Sequence, residues 1–349
     1  MMVSQDFVIH IDSIEVLDEV LSEPTSELLR FMGGTSGDFM VIGASGKMGP
    51  SMCRMLRRAL DTLGEKGRRV FGLARFSDKN VRKRLEEWGV EVLSVDLFDE
   101  ADVRDLPNAE NVVYMVGQKF GTKGNEYLTW AINTYLPGVV ARRFSESRFC
   151  VFSTGNVYPL VAVDSGGATE ETAPQPVGEY AQSRLGGERV FKYFSVKNHT
   201  KMVIIRLNYA YELRYGVLVD IARRVQQGIP VDLSMGYVNV IWQRDANDIA
   251  IRALGIADSP PEVLNVTGPE TLAVRSLAHR FGMLLGVEPV FTNWEEPTAL
   301  LSNASKMVRL FGTPQIGVET GIKWVGEWVR NRMPIYDKPT HFEARNGVF

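Results

Sequence analysis

Apolar and polar positions along most of the chain follow two alternating periods. Short, largely apolar runs stand at Phe39–Ile42, Arg69–Ala74, Glu91–Val95, Asn111–Val116, Arg148–Ser153 and Met202–Leu207, and each reads as a buried strand. Between them Pro50–Leu63, Lys79–Trp88, Glu126–Phe144 and Tyr180–Ser195 carry apolar residues at helical spacing. Strands that alternate with helices predict an α/β fold. Its parallel sheet is covered on both faces, and ligands bind where the strands end.

The two ends of the chain read differently. Over 1–37, Asp12 with Glu15 looks like a capping box opening a helix to Leu21. Pro24 introduces a second helix, Thr25–Met32, which Gly33 and Gly34 end. Ile14, Leu17, Val20, Leu21, Leu28, Leu29 and Phe31 give this extension an apolar face, which packs on its own subunit or covers a partner. Beyond Leu207 the alternation loosens. Helices are expected at Gly216–Gly228, Asp245–Ile256, Val274–Leu285, Asn303–Phe311 and 318–330, with strands near Asn239–Trp242, Val263–Thr267 and Val287–Phe291. The expected organisation is a helical extension (1–37), a main sheet domain (38–207) and a smaller α/β lobe interleaved with the sheet (208–349).

Composition narrows the function. Hydrophobic residues are 45% of 349, enough for a full core, and a net charge of −3 gives no footprint for nucleic acid. No apolar run reaches the ~18 residues of a membrane span. Cys53 and Cys150 lie far apart in apolar surroundings and read as reduced core thiols, which fits a cytoplasmic protein. The four histidines are scattered and form no metal motif.

Two stretches carry chemistry. The first is FMVIGASGKMG, Phe39–Gly49, a strand running into Gly43, Gly46 and Gly49 ahead of a helix. Gly43 allows a tight turn, Gly46 lets the backbone approach a pyrophosphate, and Gly49 lets helix and strand pack closely. The helix N-terminus, with Ser45, Lys47 and Met48 in the loop before it, offers N–H groups to the anion. The second is the pair STGNVY (Ser153–Tyr158) and YAQSR (Tyr180–Arg184), at the end of one strand and the start of the next helix. Tyr180 and Arg184 are one helical turn apart. A cation there favours the phenolate, so that the tyrosine can exchange a proton with a substrate hydroxyl oriented by Thr154.

Together these segments resemble the extended short-chain dehydrogenase/reductases, the family of NAD-dependent nucleotide-sugar epimerases and dehydratases, from about Phe39 to Trp328. GASGKMG matches the glycine motif. Asp96-Leu97 matches the acidic residue facing adenine, Asn133 the helix asparagine, STGNVY the Ser/Thr segment and YAQSR the YxxxK region. The resemblance implies a Rossmann-type, doubly wound sheet and NAD or NADP as cofactor. It gives Tyr180 the acid/base role, Thr154 the orienting role and Arg184 the part of the cation. Val116 and Asn208 join the cofactor residues. Asn156, Tyr158, Asn208, Tyr209 and Arg244 are expected near a carbohydrate-like substrate: a sugar, sugar acid or nucleotide sugar. A homodimer through the helices Glu126–Phe144 and Tyr180–Ser195 follows from the resemblance too.

The chain departs from the family at three places. Arginine replaces lysine at 184, which either conserves the charge or weakens and repurposes the site, leaving a cofactor-binding sensor or scaffold. Val238 stands where the family's diphosphate-clamping arginine falls, and R-P-x-N-x-Y-G has become RLNYAYE (Arg206–Glu212). A buried diphosphate without a paired cation is costly, so free sugars and sugar acids gain weight. At the end of the second strand Arg75, with Ser77, replaces the acidic residue of an NAD site. It either pairs with a 2′-phosphate or stacks on adenine, and NADP is favoured.

Overall fold

The computed structural model describes residues 10–347. Seven parallel strands form its central sheet: β1 (Phe39–Ile42), β2 (Val70–Ala74), β3 (Glu91–Ser94), β4 (Asn111–Tyr114), β5 (Arg148–Thr154), β6 (Met202–Leu207) and β7 (Glu262–Val266). Their order is β3-β2-β1-β4-β5-β6-β7. Every residue of β1, β2 and β4 is buried, as parallel strands covered on both faces require, whereas the edge strand β3 is half open. Order reverses between β1 and β4, so a ligand crevice is expected at their C-terminal ends. The seventh strand comes from beyond residue 207 and pairs with β6, which stitches the C-terminal half into the sheet.

Helices α1 (Ile14–Leu21) and α2 (Ser26–Gly33) precede β1, and α3 (Gly49–Thr62) follows it. One face of the sheet is covered by α2, α3 and the helix Gln243–Ala253, with Leu28, Met32, Leu56 and Ile249 against Val41 and Ile205. On the other face Leu136–Arg143 and Gly178–Asn198 set Val140 and Phe191 against Met40, Phe149 and Met202. A third cluster fills the C-terminal lobe and takes in Leu17 and Leu21. Leu17, Leu21, Leu28 and Met32 are therefore all buried within one chain, and Thr25 Oγ1 donates to Asp248 Oδ1 at 2.5 Å. The extension packs on its own subunit.

Two local expectations change. The first helix is capped by Ser13, whose Oγ accepts from Val16 N at 3.1 Å, and not by Asp12. The segment Glu126–Phe144 is not one α-helix. It widens into a π turn at Ala131–Tyr135, where Leu136 N reaches back to Ala131 O. Pro137 has no N–H for the Asn133 carbonyl, so the ladder cannot continue there.

A buried polar chain crosses the sheet behind the crevice. Arg206 Nη2 meets Glu188 Oε2 at 2.8 Å, and Ser153 Oγ donates to Glu188 Oε1 at 2.5 Å. Arg206 Nη1 donates to the Tyr158 oxygen at 2.9 Å, and Tyr158 donates to Asn265 Oδ1 at 2.8 Å. β5, β6 and β7 are thus tied to the helix that carries Tyr180.

Candidate active site

The loop after β1 is built for close approach. Gly43 has φ +101°, and a Cβ on Gly49 would stand 2.4–2.7 Å from the Ala44 backbone, so a side chain there is excluded. Beyond this loop lies a cleft of about 390 Å³ at the ends of β1 to β4. Gly43, Ser45 and Gly46 form its floor. Arg75 and Ser77 enter it from β2, Asp96 and Leu97 from β3, and Val116 from β4. Backbone pressed against open space, a helix start and an acidic rim suit the adenosine and pyrophosphate of a dinucleotide.

The other loop residues face elsewhere. Met48 packs against the core beneath α3. Lys47 does not line the cleft but lies at its edge, its Nζ 3.2 Å from the Tyr215 ring centroid and 4.8 Å from that of Phe120. Burial, then the charges of Lys119 and Lys338, bring its pKa down to about 7. Asn133 reaches the crevice indirectly. Its Oδ1 accepts from Gln118 N at 2.8 Å, and its Nδ2 donates to Gln118 O and Ser183 Oγ, both at 3.0 Å, fixing the loop after β4 to the Tyr180 helix.

Thr154 ends β5, and its Oγ1 donates to Asn156 Oδ1 at 3.0 Å while accepting from Asn156 N at 3.2 Å. Tyr180 is half-buried in the first turn of Gly178–Asn198. One turn on, the buried Arg184 donates Nη1 to Val116 O at 2.7 Å and Nη2 to Phe152 O. Its Nε is buried without a hydrogen-bond partner among the described residues. A Cβ on Gly117 would stand 2.5 Å from Nη1, so this glycine makes room for the head group. The guanidinium bridges the ends of β4 and β5, and its residue stands one helical turn from Tyr180.

Of the expected substrate residues, Asn156 lines a residual space of about 30 Å³, and Tyr209 donates to Phe342 O at 3.5 Å. Tyr158 touches the same space but spends its hydroxyl in the buried chain. Asn208 is 2% exposed and bonds Asn239 Oδ1 at 3.2 Å behind Gly155, so it reaches neither ligand region. Arg244 lies on the far side, donating to Glu23 O at 2.9 Å and Gln315 Oε1 at 2.7 Å, where its charge serves the extension. Sequence reasoning missed Lys119, which lines the cleft, and Tyr215 and Asp220, which stand around the Lys47 ammonium. Asp220 stood out only as an acid in the apolar stretch Val217–Ile221. Burial raises its pKa, and burial brings that of Lys119 down to about 8.

Residues 39–232, more than half of the chain, match the model of the NAD dependent epimerase/dehydratase family. The chain belongs to that family. As a member it is an NAD(P)-dependent enzyme of the extended short-chain dehydrogenase type. Solved structures with the same fold include UDP-glucose 4-epimerase of Thermotoga maritima with UDP-glucose (18% identity, TM-score 0.67). Others are UDP-glucose 4-epimerase of Thermus thermophilus in complex with NAD (20%, 0.68) and UDP-glucuronic acid 4-epimerase of Bacillus cereus in complex with NAD (17%, 0.69). Each alignment covers 84% of this chain and 99% of the other. No curated protein matches the chain in sequence. Arg184, expected from the resemblance at the lysine position, is held by strand-end carbonyls.

Lys47 supplies a test of this electrostatic arrangement. Its folded pKa, about 7, lies below that of the unfolded chain, about 10.5. The cost of its buried charge is therefore fully present below pH 7 and is relieved as pH rises from 7 to 10.5. In urea denaturation Lys47→Met should gain stability over the parent at pH 6, and less at pH 9. A gain independent of pH would contradict the placement.

Proposed function

We propose that this enzyme moves a hydride to or from a carbohydrate-like alcohol or ketone, with Tyr180 as acid/base. The observation that carries the reading is the Arg184 charge, fixed one helical turn from Tyr180 and beside the end of the Thr154 strand. The phenol of Tyr180 takes the proton of a substrate hydroxyl as that carbon is oxidised, or returns it on reduction. Arg184 favours the phenolate, and Thr154 orients the substrate oxygen. A nicotinamide bound in the cleft supplies the acceptor or donor of the hydride. Gly43, Gly46, Asp96, Leu97 and Val116 would hold its dinucleotide. Arg75 and Ser77 at the rim leave a 2′-phosphate open, while the NAD complexes of similar enzymes speak for NAD.

UDP-sugar epimerases among the similar structures support a sugar substrate. With Val238 buried in the core and Arg244 turned away, neither position gives this chain the diphosphate clamp, which favours free sugars and sugar acids over nucleotide sugars. The alternative, a sensor or scaffold, draws on Arg184 spending two donors on backbone. No helix among the described residues is long and apolar enough to cross a membrane. We take the location to be cytoplasmic and the assembly to be a homodimer. Tyr127 (74% exposed), Tyr135 (53%), Trp130 and Phe194 line an apolar groove between the two helices expected to form it.

Tyr180→Phe should lower kcat by about 10²–10⁴-fold with cofactor affinity unchanged, followed by NAD(P)H absorbance on sugars, sugar acids and nucleotide sugars. Undiminished turnover would remove the acid/base role. In sedimentation, Tyr135→Asp should convert a dimer to a monomer. An unchanged assembly would move the interface elsewhere.

A further inference from the structure

Much of the crevice at the strand ends is filled by the chain itself. Residues Thr340–Gly347 follow the last helix, Val318–Arg330, and run across it without helix or strand. Asp220 Oδ2 accepts from Thr340 N at 2.7 Å and from Thr340 Oγ1 at 2.6 Å. Lys119 Nζ donates to Thr340 O at 3.0 Å. Phe342 is buried, and its carbonyl accepts from Tyr209. Arg345 donates Nη1 to Ser234 O at 3.0 Å and Thr298 O at 2.7 Å, and Nη2 to Thr298 Oγ1 at 2.6 Å. Gly347, with φ +71°, lies on Val177 and Gly178, just before Tyr180. A Cβ on it would stand 2.2 Å from Val177 O.

The segment touches what leads out of β4 (Lys119), what leads out of β6 (Tyr209), and the start of the helix bearing Tyr180. It also lines the residual space beside Asn156, beyond β5. In an open α/β sheet this is where a ligand binds. The space left beside Asn156 is about 30 Å³. That is far below the ~300–1,000 Å³ of a ligand pocket. With the segment in place, the space beside Asn156 is too small for a sugar. The segment's hold is mainly polar. Thr340 gives Lys119 an oxygen and Asp220 two protons, and a polyol offers the same pairing through its hydroxyls.

We propose that Thr340–Gly347 is a built-in occupant of the substrate crevice, which withdraws to admit substrate and thereby gates the site. This rests on the enzymatic reading above. The segment opens on its own, below the free energy of global unfolding, because one buried aromatic side chain, the Glu343–Arg224 ion pair at 3.0 Å and a set of hydrogen bonds hold it.

Hydrogen exchange on the intact chain with NAD, read by mass spectrometry, tests this directly. In the parent the amides of Thr340, Phe342 and Ala344 should exchange at least 100-fold faster than those of β5. Gly347→Ala, outside the catalytic and cofactor-binding groups, should speed them a further tenfold and leave β5 unchanged. Tail amides that exchange only together with β5, in both proteins, would overturn the proposal and make the segment a fixed wall. Arg345→Ala, which removes three hydrogen bonds, repeats the test from the other anchor. Turnover should rise at least threefold in Gly347→Ala, and a value unchanged or lower would also overturn it. If no NAD-dependent turnover is found in any form, the enzymatic reading fails while the exchange result still decides whether the segment is displaceable.

Discussion

The crevice depends on one buried cation and the two carbonyls that hold it. Arg184 spans from the helix of Tyr180 to Val116 O and Phe152 O, and so fixes the separation of the β4 and β5 ends. Burying a guanidinium is costly unless its donors are met. Here the backbone of two neighbouring strands meets two of them, and Gly117 yields the room. A lysine could not bridge the same carbonyls as a planar fork. The arginine at 184 therefore goes with a crevice floor shaped to receive it, with two of its donors spent on backbone.

Around that bridge the fold is tied behind the crevice and beside it. Glu188, Arg206, Tyr158 and Asn265 lock β5, β6 and β7 to the Tyr180 helix from behind. Asn133 locks the loop after β4 from the side, where its helix widens. Removing one member of the buried Glu188–Arg206 pair would strand the other, at a cost of about 3–5 kcal/mol. In front, the crevice is closed by a segment held chiefly through exchangeable hydrogen bonds. A rigid back and a displaceable front suit a site that must hold geometry yet admit substrate.

Much of this was legible in the sequence, for physical reasons that differ by element. Buried parallel strands are apolar at nearly every position, so β1, β2 and β4 announced themselves, and Gly43, Gly46 and Gly49 marked the turn between strand and helix. Periodicity gives a residue's place along an element but not what its side chain meets in space. Arg244 turns to the extension, and Asn208 and Tyr158 are consumed in core hydrogen bonds, because partners more than thirty residues away decide their direction. The closing segment had no signal at all. Residues 331–347 carry neither period, and their meaning comes only from Asp220, Lys119 and Val177 brought beside them by the fold.

The central claim is that the glycine loop and the Arg184 bridge together serve a dinucleotide enzyme. Side-by-side calorimetric titration of the purified protein with NADH and NADPH tests it most directly. The account predicts saturable binding of one dinucleotide per chain, abolished by Gly46→Val. If neither dinucleotide bound, the claim would be contradicted.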